Sequence, residues 1–298
     1  MSDGSAAALS HFGLGTAGFG RRLDGRRAEE IIHTAVEEGI THIDTAPMYG
    51  LGQAESMVGR YLRRHRDRVT VATKVGILPP PSSAARVLPG RFLRGPLGAR
   101  QDYSPAAVRA SFQRSLAELA TDHVDLLLLH EVAPEQVSED LLDFLFGCVA
   151  EGTARAVGTA TWREATVAIS AARAPFPAVA QVPWLPPGGE PTAGTNPQTI
   201  VHSVVRTVLE GVLEPARARR GDLLRWSEQL GVDCSRSEVM APLALALARD
   251  QAPSVTTLFA SRSPARVRAN VRGARGYSAD SELIDGFAQL VCAELSRR

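Results

Sequence analysis

Eight short β-prone runs, each followed by a helical pattern, place the tightest limit on what this chain can fold into. They begin at Phe12, Thr41, Val69, Val124, Ala154, Ala178, Thr199 and Ser254, and the seventh is read as running to Val205. The intervening segments carry apolar residues at helical spacing, as Ala28, Ile31, Ile32, Ala35 and Val36 do before Gly39 stops their helix. Further helices are read at 55–64, from 105 through Leu119, and at 141–150, 165–173, 216–230 and 240–249. Two more start at 264 and span 281–295. Ser104-Pro105 and Ser263-Pro264 each offer a capping hydroxyl followed by a proline suited to the first turn. The run VDLLLLH at 124–130 is apolar on both faces, as a buried parallel strand requires. This alternation favours an α/β fold of the (β/α)8 TIM-barrel type over an open doubly wound sheet. No linker or repeat interrupts it, so residues 1–298 are read as a single barrel domain.

Composition narrows the function classes. A formal net charge of +1 gives no electrostatic footprint for nucleic acid. No run of about 18 apolar residues offers a membrane span. The first residues, MSDGSAAALSHFG, lack the basic start and apolar core of a secretion signal. Cys148, Cys234 and Cys292 are scattered without metal-ligand spacing, and they fit small buried residues in a reducing cytoplasm. The expectation is a cytoplasmic protein with no metal, no nucleic acid and no membrane partner. Oligomeric state leaves no signature.

The chemistry concentrates in residues 39–74, which read as strand, loop, helix, strand. Asp44 ends the first of these strands and Lys74 the second, and Tyr49 lies in the loop between strand and helix. Lys74 is the only lysine among 33 basic Lys and Arg residues. Every other basic position has gone to arginine, so position 74 needs what a guanidinium cannot give. An ammonium is a compact charge with a tunable pKa, whereas a guanidinium is a broad fork that stays protonated. The alternative is a buried Lys–Asp pair that merely lacks room for Arg. His130 ends the fourth strand. In a barrel, all four residues project at the C-terminal rim, where active sites form. A phenol with a reference pKa of about 10 is a weak acid. A neighbouring ammonium lowers that value, a carboxylate steadies the ammonium, and a histidine opposite can orient a carbonyl.

Other features stay open at this level. The run GLGTAGFG at 13–20 fails the dinucleotide fingerprint. It reads either as a first strand, with Gly15 and Thr16 small where a ligand approaches, or as a plain glycine turn. Residues 75–102 form a long irregular segment whose arginines Arg86, Arg91, Arg94 and Arg100 either guide an anion or are solvated. Trp162 and Trp184 follow strands five and six, and either line a substrate pocket or close the rim. His42, Tyr61 and Tyr277 are read as packing residues, and His65, His123 and Arg297 as solvated.

The stretch EEGITHIDTAPMYGLGQAESMVGRYL, the strand VATK, the phrase SLAELATDHVDLLLLH and the segment ASRSPARVRANV together resemble the aldo-keto reductase family. The resemblance implies a (β/α)8 barrel that binds NADPH, less often NADH, and reduces an aldehyde or ketone to an alcohol. The substrate would be a small carbonyl compound, a sugar or a biosynthetic intermediate. Matched by position, Tyr49 would be the acid/base, Lys74 and Asp44 its tuning pair, and His130 the carbonyl orienter. Gln181 would hold the nicotinamide carboxamide. Ser261, Arg262, Arg266 and Asn270 would hold the adenosine 2′-phosphate and adenine. Three departures stand out, one of them Ala269 where the family has a Glu before the final Asn. Ala160-Thr161 replaces the usual Ser-Asn, and His202-Ser203-Val204 replaces an aromatic residue with Ser-Pro-Leu. Thr161 and Ser203 are therefore the cofactor contacts expected there. The segment at 186–196 differs from a common substrate loop. A rival reading is a non-catalytic barrel that binds NADPH and regulates a protein partner, as potassium-channel β subunits do within the family.

Overall fold

The structure, a computed structural model, describes residues 9–20, 23–79, 100–186 and 198–297. The segment around residues 80–99 and most of 186–196, including Arg86, Arg91 and Arg94, lie outside the described residues. Ten strands occur among the described residues. They are β1 (Phe12–Gly15), β2 (His42–Asp44), β3 (Thr70–Val75), β4 (Ile77–Leu78), β5 (Arg100–Gln101), β6 (Val124–His130), β7 (Ala154–Ala160), β8 (Val179–Pro183), β9 (Gln198–His202) and β10 (Thr256–Phe259). Eight of them close into a parallel barrel in the order β1-β10-β9-β8-β7-β6-β3-β2. These are the eight runs read from the sequence, with starts shifted by at most two residues.

The helices are α1 (Gly25–Glu37), α2 (Ala54–His65), α3 (Pro105–Leu119), α4 (Glu139–Ala150), α5 (Arg163–Ala172), α6 (Val204–Val208), α7 (Glu214–Arg217), α8 (Arg220–Leu230), α9 (Ser237–Gln251), α10 (Pro264–Tyr277) and α11 (Ser281–Leu295). The predicted caps form. Ser104 accepts from the Ala107 N–H at the head of α3, and Ser263 accepts from the Arg266 N–H at the head of α10, both at 3.4 Å. Each satisfies a backbone donor that the helix itself leaves unpaired.

Three segments depart from the sequence reading. The seventh barrel strand stops at His202, not at Val205, because Ser203 turns into the left-handed region at φ 68° and the chain enters α6. The helix expected at 216–230 begins much earlier, at Val204, and passes through a wide turn at Leu209–Leu213. It breaks after Arg217, and α8 then restarts. The stretch 75–102 is not wholly irregular, since β4 and β5 pair antiparallel at its base, Ile77 opposite Gln101.

Side chains alternate along a strand, and the alternation sorts the core into two layers. Ala72, Leu126, Leu128, Ala156, Ala160, Val179, Ile200 and Leu258 pack inside the barrel. Val71, Leu127, Leu129 and Val157 belong to the larger layer with helix residues such as Ile31, Ile32, Val108 and Leu141.

The N-terminal end of the barrel holds a buried ion cluster. Asp125, second in β6 and 1% exposed, accepts from the Val71 N–H at 2.7 Å and from Arg66 Nη2 at 2.8 Å. Arg155 Nη1 lies 2.9 Å from its other oxygen. Arg66 also donates to Thr121 Oγ1, the Val69 carbonyl and the His123 carbonyl. Its fork is therefore fully engaged between β3 and β6. His65, read as solvated, instead meets Tyr61 and His33 ring to ring, with centroids 4.8 and 5.1 Å away. Arg297, read as solvated, is 56% exposed and also pairs with Glu294 at 3.0 Å.

Candidate active site

The inward positions nearest the C-terminal ends of the strands gather at one mouth. Two residues beyond Ala72, Leu128, Val179 and Ile200 come Lys74, His130, Gln181 and His202, which by alternation share their inward direction. Asp44 pairs in register with Ala72, and Lys74 with Leu128. Tyr49 arrives on the turn Tyr49–Leu51 after β2. Gly50 makes that turn possible. It sits at φ 60°, and a Cβ there would stand 2.0 Å from the Phe19 carbonyl oxygen. The backbone carrying Tyr49 thus presses directly onto residues 19 and 20.

Lys74 is 1% exposed and Asp44 3%. The ammonium donates to Asp44 Oδ1 at 2.6 Å and to the Thr45 carbonyl at 2.9 Å. It lies 4.8 Å from the centre of the Tyr49 ring. Two of its three N–H groups are committed, which leaves the third for the phenol side. Burial alone would lower the Lys74 pKa, but Asp44 and then Tyr49 outweigh it and hold the group above its ordinary 10.5. The Tyr49 phenol departs from expectation. Burial pushes it above its ordinary value, and the Lys74 charge offsets only part of that rise. The hydroxyl is a protonated donor at neutral pH, with a cation in place to stabilise its conjugate base.

His130 faces Tyr49 edge to face, ring centres 6.0 Å apart. Burial, reinforced by the charge of Lys74, lowers its pKa to about 3, so the imidazole is neutral in ordinary buffers. His202 is a further polar group of the mouth, which the sequence marked only as a departure. Its Nδ1 lies 2.9 Å from Ser203 Oγ, which also accepts from Arg206 at 3.0 Å. Burial takes the lead in bringing His202 to about 4. His42 lies deeper, fully buried, with Nδ1 3.0 Å from Thr70 Oγ1.

The remaining predicted residues divide by what already holds them. Thr16 Oγ1 donates to the Asp44 carbonyl at 3.0 Å, and Thr161 Oγ1 to the Val132 carbonyl at 3.0 Å. Both hydroxyls therefore serve the rim itself. Gly15 pairs with Asp44 in register and leaves the wall beside it thin. Gln181 is 3% exposed, and its Oε1 has no hydrogen-bond partner. Such an atom fits an external donor such as a carboxamide. Ser261 Oγ accepts from the Ser263 N–H at 3.2 Å and shapes the turn into α10. Arg262 and Arg266 are exposed at the head of that helix, and neither has a carboxylate partner among the described residues. Arg268 and Arg272, further along, are paired with Glu38. Two free guanidinium groups at a helix N-terminus suit a phosphate, with Asn270 one turn on. Trp184 lies in the apolar layer, whereas Trp162 stands 66% exposed at the head of α5.

The arrangement can protonate an oxygen and stabilise the phenolate that results. A model of the aldo/keto reductase family matches residues 11–187. The chain belongs to that family. It is 34% identical over 140 residues to pyridoxal 4-dehydrogenase from Microbacterium luteolum, covering 42% of this chain and 40% of the relative. It is 34% identical over 167 residues to D-threo-aldose 1-dehydrogenase from a Pseudomonas species, covering 51% of this chain and 50% of that one. The chain thus spans half, or less, of the length of these curated relatives. Structural likeness runs further. An aldo-keto reductase from Bacillus halodurans in its holo form superposes with a TM-score of 0.70 at 24% identity, over 95% of this chain and 92% of that one. The glycerol dehydrogenase of Gluconobacter oxydans gives 0.67 at 22% identity, over 96% and 93%. At those identities the likeness speaks for the family's barrel. No described helix is long and apolar enough to cross a membrane.

Proposed function

We propose that this chain is an NADPH-dependent reductase of aldehydes or ketones, with Tyr49 as the proton donor. The observation that carries the reading is the Lys74 ammonium, held by Asp44 at 2.6 Å and 4.8 Å from the Tyr49 ring, with a neutral His130 opposite. When bound, the reduced nicotinamide supplies a hydride to the carbonyl carbon. Tyr49 gives its hydroxyl proton to the carbonyl oxygen, and Lys74 stabilises the phenolate left behind. His130 donates an N–H to the same oxygen and aims it at Tyr49. Asp44 keeps the ammonium in place. Gln181 would meet the carboxamide, and Arg262, Arg266 and Asn270 the adenosine phosphate end, which favours NADPH over NADH. Relatives named for 6-dehydroglucose and D-threo-aldose support sugar-derived carbonyls as the first substrates to try.

The test is oxidation of NADPH on addition of an aldehyde and aldose panel, run beside Tyr49→Phe. The variant should bind NADPH nearly as the native protein does, by fluorescence titration, and should lose turnover by about 10²–10⁴-fold. Turnover equal to native ends the mechanism. NADPH that binds but is not oxidised by any member of the panel favours the regulatory barrel.

A further inference from the structure

His130 differs from the other two histidines that point into the barrel. His42 is fixed by Thr70, and His202 by Ser203. Among the described residues, the His130 ring has no hydrogen-bond partner to set its tautomer or orientation. What is held instead is the backbone immediately behind it. The peptide joining His130 to Glu131 is pinned at both ends. Its carbonyl accepts from Tyr103 Oη, and its N–H donates to the Ala160 carbonyl at 2.8 Å. Glu131 then adopts φ 53°, a left-handed geometry that a residue with a side chain keeps only when its surroundings impose it.

Tyr103 is built into this position. Gly76 has φ 102°, and a Cβ there would lie 2.1 Å from Tyr103 Cε1, so the ring uses the space that a side chain would take. The Asp102 N–H donates to the Gly76 carbonyl at 2.9 Å and, with the β4–β5 ladder, sets residues 100–103 beside the end of β3. Burial, helped by Glu131, pushes the Tyr103 phenol above its ordinary value, so it stays a donor at any working pH. A phenylalanine would fill the same volume. Among the described residues, the hydroxyl finds its partner at the His130 carbonyl.

We propose that Tyr103 is a positioning residue, whose bond to the His130 carbonyl fixes the 130–131 peptide and thereby the aim of the His130 imidazole into the mouth. The catalytic consequence rests on the role of His130 given above, while the clamp itself does not. The groups that bear on the His130 charge are Lys74 from β3, His202 from β9 and the Tyr49 phenol from the turn after β2. None is altered by changing residue 103.

The experiment is an imidazole ¹⁵N NMR titration of the full chain between pH 5 and 8, with parallel kinetics. In the native protein His130 stays neutral throughout that range. In Tyr103→Phe the loosened ring gains solvent, and its midpoint climbs from about 3 toward the ordinary 6.5. The same variant loses kcat by about ten- to a hundredfold, with KM for NADPH unchanged, as a small misplacement of a reacting group does. Glu131→Val works against the left-handed geometry from the other side of the peptide, because a β-branched side chain resists positive φ, and position 131 is exposed, so the core is untouched. It moves the titration in the same direction, more weakly, and serves if Tyr103→Phe does not fold. A native titration in both variants overturns the clamp. A shifted titration with native kcat overturns its catalytic consequence. If the native protein reduces no carbonyl compound, the reading of the site fails separately, and the titration still decides on Tyr103.

Discussion

The two ends of the barrel each bury a carboxylate against a base, and they use opposite bases. At the N-terminal end, Asp125 meets Arg66, whose fork is spent on Asp125, Thr121 and two backbone carbonyls. At the mouth, Asp44 meets Lys74, which spends two of its three donors and turns the rest of its charge toward Tyr49. A rigid planar fork suits a network that must close. A compact ammonium suits one that must leave an opening. The difference teaches that a buried ion pair is informative through what it leaves over. In a (β/α)8 barrel the leftover belongs at the C-terminal end of the strands, where chemistry is done, while the other end serves stability.

Exchanging the bases should separate these roles. Lys74→Arg keeps the charge but not the compact shape, and kcat should fall by about 10²–10⁴-fold while the circular dichroism and melting curve stay close to native. Native kcat would make the mouth pair as structural as its counterpart. Asp125→Ala leaves the partly buried Arg66 and the buried Val71 N–H without their acceptor, and should cost about 3 kcal/mol in urea unfolding. The kcat of the protein that remains folded should not change, and a change would show that the two ends are coupled. Arg266→Ala should raise KM for NADPH by about ten- to a hundredfold and leave KM for NADH unchanged, since a charge-assisted contact to the extra phosphate is worth about 1.5–3 kcal/mol.

The smallest effect is on pH dependence. His42 is held at about 4 in the fold and returns to 6.5 on unfolding. Between those values the unfolded chain takes up a proton that the folded chain refuses, so this group's contribution to stability falls as pH falls from about 6.5 to about 4. His42→Asn should flatten the slope of unfolding free energy against pH in that window. An unchanged slope would show that His42 is not kept neutral by the fold.

Much of this contrast was legible before folding. The lone lysine flagged the mouth, and the alternation of strands and helices placed Asp44, Lys74 and His130 at one rim. The caps Ser104 and Ser263 fixed two helix starts because each needs only its nearest neighbours. What escaped the sequence depended on distant partners. Nothing local says that the Asp125 acid would find Arg66 across 59 positions, or that the hydroxyl of Tyr103 would reach a carbonyl 27 residues on. The Tyr before a helix cap reads only as an apolar residue packing onto the first turns. The sign of the Tyr49 shift escaped for a related reason. The ammonium was visible in the sequence, whereas the burial that outweighs it is a property of the assembled mouth. The end of β9 was missed because Ser203 takes a left-handed turn that residue type does not announce.

The single lysine has a practical consequence outside catalysis. With one side-chain amine in 298 residues, and that amine 1% exposed, acylating dyes and amine cross-linkers find no ε-amino group on the surface of the folded protein. Acetylation at position 74 would therefore report the opening of the mouth at that one residue, with no background from other lysines.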